Sequence, residues 1–508
     1  MTRLLIGHDA GTGGCKSVLT DGSGKVLASS FETYPTSYPG PARVEQDPAD
    51  WWRAVCANTR RLVAESRVDP ASIAGLGFAG QMVCVVPVDR SGEPLRPAII
   101  WMDSRADAQA ARMIRRLGGR RVMLAVAGAL PTGKDVVCKV AWLEENEPDL
   151  FGRTHRILDL TGYLVLKATG ELSLDHTGAG GTGLLNSKRE WSGLLARLID
   201  FPVEKMPDIR PCSQVVSVLT ADAASDMDLA EGMPVIAGMS DIPAAAVGSG
   251  ALGDGDAHIY LGTSSWLCIT TSRTRNLGRY GIAAVPSADP RTSIMIGETE
   301  TAGACLEWFA REFATAGERR AEGGVFSALD AAASDVEPGA GRLLFMPWLF
   351  GERSPVPDTT LRGCFANLSL EHTRDHMLRA VYEGTAYNLR WLLDAAESKG
   401  FACRPLRAIG GGAKSDLWMQ VIADVSGRAI EAVAEPQEAG AVGCALAAGV
   451  GLGLVPSYES IRGLVGVRRV FEPEAEVASA YDPLYRAFRA VYPALSKAGR
   501  ALNRRSPD

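Results

Sequence analysis

Apolar positions near the start of the chain come in short blocks separated by glycine. Leu4-Leu5-Ile6 is apolar, Gly7-His8-Asp9-Ala10-Gly11-Thr12-Gly13-Gly14 is small and polar, and Val18-Leu19 is apolar again. This pattern predicts a strand, a turn rich in glycine and a second strand. Asp21-Gly22-Ser23-Gly24 turns the chain into a third strand, Lys25 to Phe31. The period then lengthens. Trp52, Val55, Cys56, Thr59, Leu62 and Val63 recur at helical spacing, predicting a helix from about Ala49 to Glu65. Asp47 is its expected cap and Pro48 its first residue. Ile73 to Phe78 reads as a fourth strand, followed by Gly80-Gln81-Met82 and a strand to Val88, which Asp89-Arg90-Ser91-Gly92 turns. Three antiparallel strands, a helix and a further strand predict an α/β domain with a mixed sheet.

Trp101-Met102-Asp103-Ser104-Arg105 opens a polar amphipathic helix in this reading, and residues 120 to 230 are mostly helical with loops. Residues 174–183 hold too much glycine for a helix interior. A linker or hinge is expected near 238–252, where Gly238, Gly248, Gly250 and Gly253 cluster. The second half then repeats the plan of the first. His258 to Leu261 and Trp266 to Thr270 are strands around the small-residue turn Gly262-Thr263-Ser264-Ser265. Ser293 to Ile296 is a third strand before a helix from Gly303 to Ala314. A long helix covers about Glu371 to Ser398. Arg407 to Ile409 then enters Gly410-Gly411-Gly412 and a capped helix from Ser415 to Val425. Two domains are expected, residues 1–245 and 246–508.

A length of 508 residues is too great for one core and supports that division. Hydrophobic residues at 46% and charged residues at 22% fit a globular protein. The net charge of -6, with acids and bases mixed, argues against a nucleic-acid or membrane partner. No apolar run approaches a membrane span, and the start carries no basic-then-apolar signal. The ten cysteines form no CxxC pair. They read as reduced, mostly buried thiols in a cytoplasmic protein.

The opening turn is the first place where chemistry enters. Successive N–H groups in a glycine turn make a concave anion site. Asp9 leads into it and Lys16 leaves it. An acid beside phosphates makes sense when a divalent cation lies between them. An ordinary glycine hairpin explains the same residues. The second glycine hairpin at 262–265 turns the first into half of a pair, suggesting a nucleotide held between two lobes. Asp241 ends the apolar strand Val235-Ile236-Ala237-Gly238, where its carboxylate is placed either to act as a base or to cap the helix before Ile242-Pro243.

Several spaced motifs converge with these readings. They are Gly7-His8-Asp9-Ala10-Gly11-Thr12; Gly80-Gln81-Met82; Trp101-Met102-Asp103-Ser104-Arg105; Gly238-Met239-Ser240-Asp241; Leu261-Gly262-Thr263-Ser264; the run from Met346 to Pro355; and the run from Ile409 to Trp418. Their order and spacing resemble the FGGY family of carbohydrate kinases, in its xylulokinase-like branch. The resemblance implies two actin-like, ribonuclease-H-like domains with a nucleotide and sugar cleft between them. It implies transfer of the γ-phosphoryl group of ATP, with Mg²⁺, to a small ketose or polyol such as xylulose. Asp241 then corresponds to the catalytic base and Asp9 to the acid near Mg²⁺ and the γ-phosphate. Thr12, Gly13, Gly14, Gly262 and Thr263 correspond to phosphate contacts, and Gly303, Glu307, Gly412 and Asp416 to the adenosine side. Gln81, Met82 and Trp101, with Asp241, correspond to the acceptor pocket. The implied partner is a small sugar or polyol, with a homodimer left open. Members of this branch typically carry histidine after Gln-Met and asparagine after the catalytic aspartate. Here Val83 and Ile242 stand there. Ribulose, gluconate, glycerol and a pentitol or tetritol therefore stay open as acceptors. An actin- or chaperone-like ATP-binding protein without sugar phosphorylation is the alternative of another class.

Overall fold

The computed structural model describes residues 3–126 and 130–503. Backbone contacts group the chain into two units. The first contains residues 1–252, 285–294 and 438–465; the second contains 253–284, 295–437 and 466–508. The expected boundary at 245/246 falls inside a helix, Asp241–Ser249, and the first unit runs on to Leu252.

The first unit is built on a mixed sheet. β1 (Leu4–Ala10) pairs antiparallel with β2 (Gly14–Asp21), and β2 pairs antiparallel with β3 (Val26–Thr33). On its other side β1 runs parallel to the strand Ile73–Gly80, with Gly7 opposite Gly77. Pro234–Ile236 and Met239–Ser240 run parallel to the far side of that strand. α1 (Pro48–Ser66) starts as the sequence predicts: Asp47 accepts the Ala49 amide and Pro48 is the first helical residue. Its buried face includes Trp51, Trp52, Val55, Cys56 and Leu62.

One helix of this unit has no counterpart in the sequence reading. Ala439–Gly451 is buried over nearly its whole circumference, so its residues show no amphipathic period. It lies on the sheet where Gly7 and Gly77 leave the surface flat. A methyl group on Gly7 would stand 2.0 Å from the Ala441 carbonyl oxygen, and one on Gly77 3.0 Å from the Cys444 sulfur. The Asp241–Ser249 helix packs on it just as closely. A methyl on Gly248 would stand 1.7 Å from the Ala439 carbonyl oxygen, and one on Gly443 2.0 Å from that of Ala244. The expected hinge at 238–252 is thus mostly a packed helix. Gly250, at φ 70°, ends it in the left-handed conformation.

Two further expectations change. Residues 101–105 do not begin a helix; the helix here is Asp107–Arg116. Asp103 instead accepts the Val44 amide at 2.6 Å and grips Arg105 through both oxygens, which holds the segment irregular. Within 174–183 the residues His176–Gly180 do form one helical turn, because Asp175 accepts the Thr177 and Gly178 amides.

The second unit repeats the scheme. Ala257–Leu261 pairs antiparallel with Ser265–Thr271 and parallel with Leu406–Ile409, which runs parallel to Ile430–Val433. The long helix is Arg374–Glu397, started by a capping box between Thr373 and His376 and buried from Leu378 onward on most positions. None of the ten cysteines is in a disulfide; nine are buried and Cys364 is half-buried. Among the described residues no helix is long and apolar enough to cross a membrane.

Candidate active site

In the first unit the site grows from three neighbouring strand ends. Ala10 lies opposite Gly80, and Gly80 lies opposite Ser240, all in parallel register. Gly11-Thr12, Gln81 and Asp241 therefore leave the sheet side by side at its carboxyl edge, where open α/β sheets bind ligands.

Asp241 is the first residue of its helix, and Ser240 is the cap. The carboxylate is half-buried and takes the Ile242 amide at 2.9 Å. Asp241 thus follows a strand end, as expected, while the cap position falls to its neighbour Ser240, whose side chain makes no capping bond.

Thr12 joins the acceptor-side residues directly. The Trp101 indole donates to the Thr12 hydroxyl at 2.8 Å, and that hydroxyl donates to Gln81 Oε1 at 3.2 Å. Gln81 Nε2 donates to Gln46 Oε1 at 2.7 Å, and Trp51 donates to the same oxygen at 3.0 Å. Gln46 Nε2 closes the ring onto the Thr12 carbonyl at 2.7 Å. The Thr12 side chain, expected at a phosphate, is committed here to Trp101 and Gln81. Met82 extends toward Gly181, where an added Cβ would stand 3.5 Å from its methyl. Gln46 and Trp51 were invisible in the sequence, since they belong to the approach and first turn of α1.

Gly13 and Gly14 differ. An added Cβ at Gly13 meets nothing within 4 Å, so this exposed backbone is open to a ligand. At Gly14 it would stand 2.5 Å from the Glu32 carbonyl, so that glycine serves the sheet. Gly13→Ala is expected to leave the melting temperature unchanged while raising the KM for ATP several-fold. Steady-state kinetics beside a thermal melt would show it.

Asp9 faces Lys16 across β1 and β2. Burial pushes its carboxyl up to about 6, with Lys16 pulling it back down. A methyl on Gly440 would stand 2.1 Å from Asp9 Oδ2, so the first turn of the Ala439–Gly451 helix presses against the carboxylate. That end of a helix favours negative charge. Among the described residues no group of three His, Cys, Asp or Glu could hold a metal alone. A single carboxylate on a phosphate hairpin suits Mg²⁺, which is usually held by one or two carboxylates together with substrate phosphates and water.

Lys139 went unnoticed in the sequence, although a lone lysine inside Val136-Val137-Cys138-Lys139-Val140 was a signal. It is fully buried and donates to the carbonyls of Val83 at 2.9 Å and Ile100 at 2.8 Å. It thus straps the Gln81–Val83 segment to the one carrying Trp101. Burial lowers its pKa to about 8, opposed by Cys84, Asp103 and Asp135. Val83 sits at φ 62°, unusual for a β-branched residue, so this turn is held against its preference. Lys139→Met removes the donor from the half-buried Val83 carbonyl, while the Ile100 carbonyl still accepts the Asp103 amide at 3.0 Å, so the cost is about 1–3 kcal/mol in all. The expected result is a lower melting temperature and a raised acceptor KM, with ATP binding unchanged by calorimetry.

In the second unit three predicted segments meet. The Gly303 amide donates to the Gly262 carbonyl at 2.8 Å, and the Ala304 amide to that of Thr263 at 3.0 Å. A methyl on Gly412 would stand 2.8 Å from the Cβ of Leu261, the residue before Gly262. Glu307 lies one turn beyond Gly303 on the Gly303–Phe313 helix and is exposed. Asp416 opens the helix after the glycine triplet, and its carboxylate pairs with Arg468 and Arg469, each at 2.7 Å.

Comparison with known proteins follows this geometry. Residues 4–248 match the model of the FGGY family of carbohydrate kinases, N-terminal domain, and residues 257–452 that of its C-terminal domain. A xylulose kinase of Escherichia coli (strain K12) is 29% identical over 490 residues, 96% of this chain and 98% of that protein. A gluconokinase of Bacillus subtilis (strain 168) is 26% identical over 495 residues, 96% of this chain and 95% of that one. The crystal structure of xylulose kinase from Rhodospirillum rubrum has a TM-score of 0.86 at 28% identity, covering 98% of this chain and all (100%) of the other.

Proposed function

Since the chain belongs to the FGGY family of carbohydrate kinases and is an ATP-dependent sugar kinase, we propose that its acceptor is a small ketose or polyol, with a pentulose such as xylulose foremost. The observation that carries this reading is the shared register at Gly80, which sets Thr12, Gln81 and Asp241 side by side. Asp241 takes the proton of the acceptor hydroxyl as it attacks the γ-phosphorus. Gln81 and Met82 orient the acceptor, and Trp101 offers its C–H face an apolar wall. The Thr12 and Gly13 backbone, with Gly14 behind it, receives phosphate oxygens. In the second unit Gly262 and Thr263 suit phosphate oxygens, and Gly303, Glu307, Gly412 and Asp416 serve the adenosine. Asp9 would hold Mg²⁺, which spreads the charge of the transferring phosphate when bound.

A sugar acid is the second reading. The Lys134 ammonium stands 5.8 Å from the Trp101 ring centroid, where it suits an anionic acceptor. Val83 and Ile242 also remove polar partners that a neutral ketose would use. The test is ADP release, with Mg²⁺, over a panel of pentuloses, pentitols, gluconate and glycerol. The expected result is a pentulose with the highest kcat/KM. Gluconate in that place would favour the second reading. ADP release indifferent to every acceptor would overturn both.

A further inference from the structure

A pair of carboxyl groups lies behind the strand ends just described. The helix Leu160–Thr169 begins there. A methyl on Gly80 would come within 2.3 Å of Leu160, and the Thr161 hydroxyl donates to the Met239 carbonyl at 3.2 Å. Asp159 caps this helix, taking the Gly162 amide at 2.7 Å on one oxygen. Its other oxygen occupies the space beside Gly178. A Cβ on Gly178 would stand 2.0 Å from that oxygen and 3.1 Å from Oδ2 of Asp175. Asp175 is 1% exposed. Its Oδ1 accepts the amides of Thr177 at 2.8 Å and Gly178 at 2.9 Å, and the Thr177 hydroxyl. Its Oδ2 has no hydrogen-bond partner. A bare carboxylate oxygen buried there is costly, and two adjacent carboxyls in such a place do not both ionise. One proton between them removes both difficulties.

We propose that Asp159 and Asp175 share a single proton across the gap at Gly178, and that this pair fixes the start of the Asp241–Ser249 helix. The link is short. Thr177 Oγ1, held by Asp175, accepts the Ser240 amide at 2.9 Å, and Asp241 is the next residue. Both acids are positioning residues. The kinetic consequence rests on Asp241 being the base; the shared proton does not.

Among the described residues no charged group is hydrogen-bonded to either carboxyl. His176 Nε2 meets the Ser287 carbonyl at 2.8 Å, and burial holds its pKa down against the pull of Asp175. Cys212 Sγ lies 3.8 Å from Asp175 Oδ1 and 3.5 Å from His176 Nδ1, and burial keeps it a thiol. Cys84, near Asp159 and Asp241, is likewise held protonated by burial. Arg189 bonds the Thr292 carbonyl at 2.8 Å and acts on His176 and Cys212. Burial, then the charge of Asp175, raises Asp159 to about 7, and burial raises Asp175 as well. An acid whose folded pKa exceeds its unfolded one adds no penalty below the unfolded value of about 3.9. The penalty grows as pH climbs and is complete above the folded value. On this pair's account stability therefore falls from about pH 4 to about pH 7, with no further loss above.

The experiment is thermal unfolding of the full chain from about pH 5.5 to about pH 8.5, for the wild type and Asp159→Asn. The asparagine keeps the cap and offers its amide to Asp175 Oδ2. The expected wild-type melting temperature falls across neutrality. That of Asp159→Asn falls less steeply, since Asp9 and Glu352 still titrate in this range, and ends several degrees above the wild type. Asp175→Asn should reduce the fall in the same way, and one infrared carbonyl band of a protonated carboxyl, which fades on titration in the wild type, should be missing from both variants. Parallel melting curves, or a variant less stable at every pH, would overturn the shared proton. In kinetics, the alkaline fall of kcat should vanish in Asp159→Asn, with the KM for ATP unchanged. Unaltered kcat profiles beside the expected melts would overturn the link to the helix. A fully active Asp241→Asn would count against the base alone, and the melting comparison would still decide the proton.

Discussion

Asp241→Asn is expected to lower kcat by about 10²–10⁴-fold, the range for loss of a general base. The substitution is conservative in every other respect. Asparagine matches the size of aspartate, and its carbonyl oxygen can still accept the Ile242 amide that Oδ1 holds at 2.9 Å. Ser240 holds the cap position without a side-chain capping bond, and the carboxylate at the first helical position contributes only about 0.3–1 kcal/mol through the helix dipole, so the helix start survives loss of the charge. What disappears is the ability to take a proton beside Gln81 and Thr12. The Gly11–Gly14 hairpin and the second-unit turn, proposed to take the nucleotide, are untouched, so ATP affinity measured by calorimetry should be nearly unchanged. Turnover close to wild type would remove Asp241 from the chemistry.

Gly248→Ala should have the largest effect on stability. Its Cβ would stand 1.7 Å from the Ala439 carbonyl oxygen and 2.9 Å from the Gly443 nitrogen. Both are helix backbone, so no side chain can swing aside. The two helices must separate, and the Ala439–Gly451 helix is also pinned by Gly7 on β1. The expected cost is about 3 kcal/mol, at the upper end for overpacking. That corresponds to a fall in melting temperature of roughly 2–4 °C per kcal/mol. Kinase activity should fall with it, because moving Gly440 moves the wall against Asp9. A variant that melts with the wild type would show that the two helices are less tightly joined than described.

Much of the frame was legible because local signals and tertiary need agree in it. The glycine hairpin at Asp9, Asp47-Pro48 at the head of α1 and the echo of the hairpin at Gly262 each announce an element by its own chemistry. The Ala439–Gly451 helix was illegible for the opposite reason. It is buried on all sides, so nothing alternates, and its glycines look like loop. Candidate site residues such as Gln81, Trp101 and Asp241 could be named one motif at a time. How they join could not be read that way. The ring through Thr12 and Gln46 and the strap from Lys139 are made by residues far apart in sequence whose types are ordinary. Residues 101–105 misled because a polar amphipathic pattern is equally well satisfied by Asp103 holding Val44 and Arg105.

The lateness of the Ala439–Gly451 helix has a consequence for synthesis. The strands it covers are made first, with β1 at the very start of the chain. Until that helix leaves the ribosome, the face around Gly7 and Gly77 has nothing to rest against. A nascent chain halted before residue 438 lacks the helix that covers this face of the sheet.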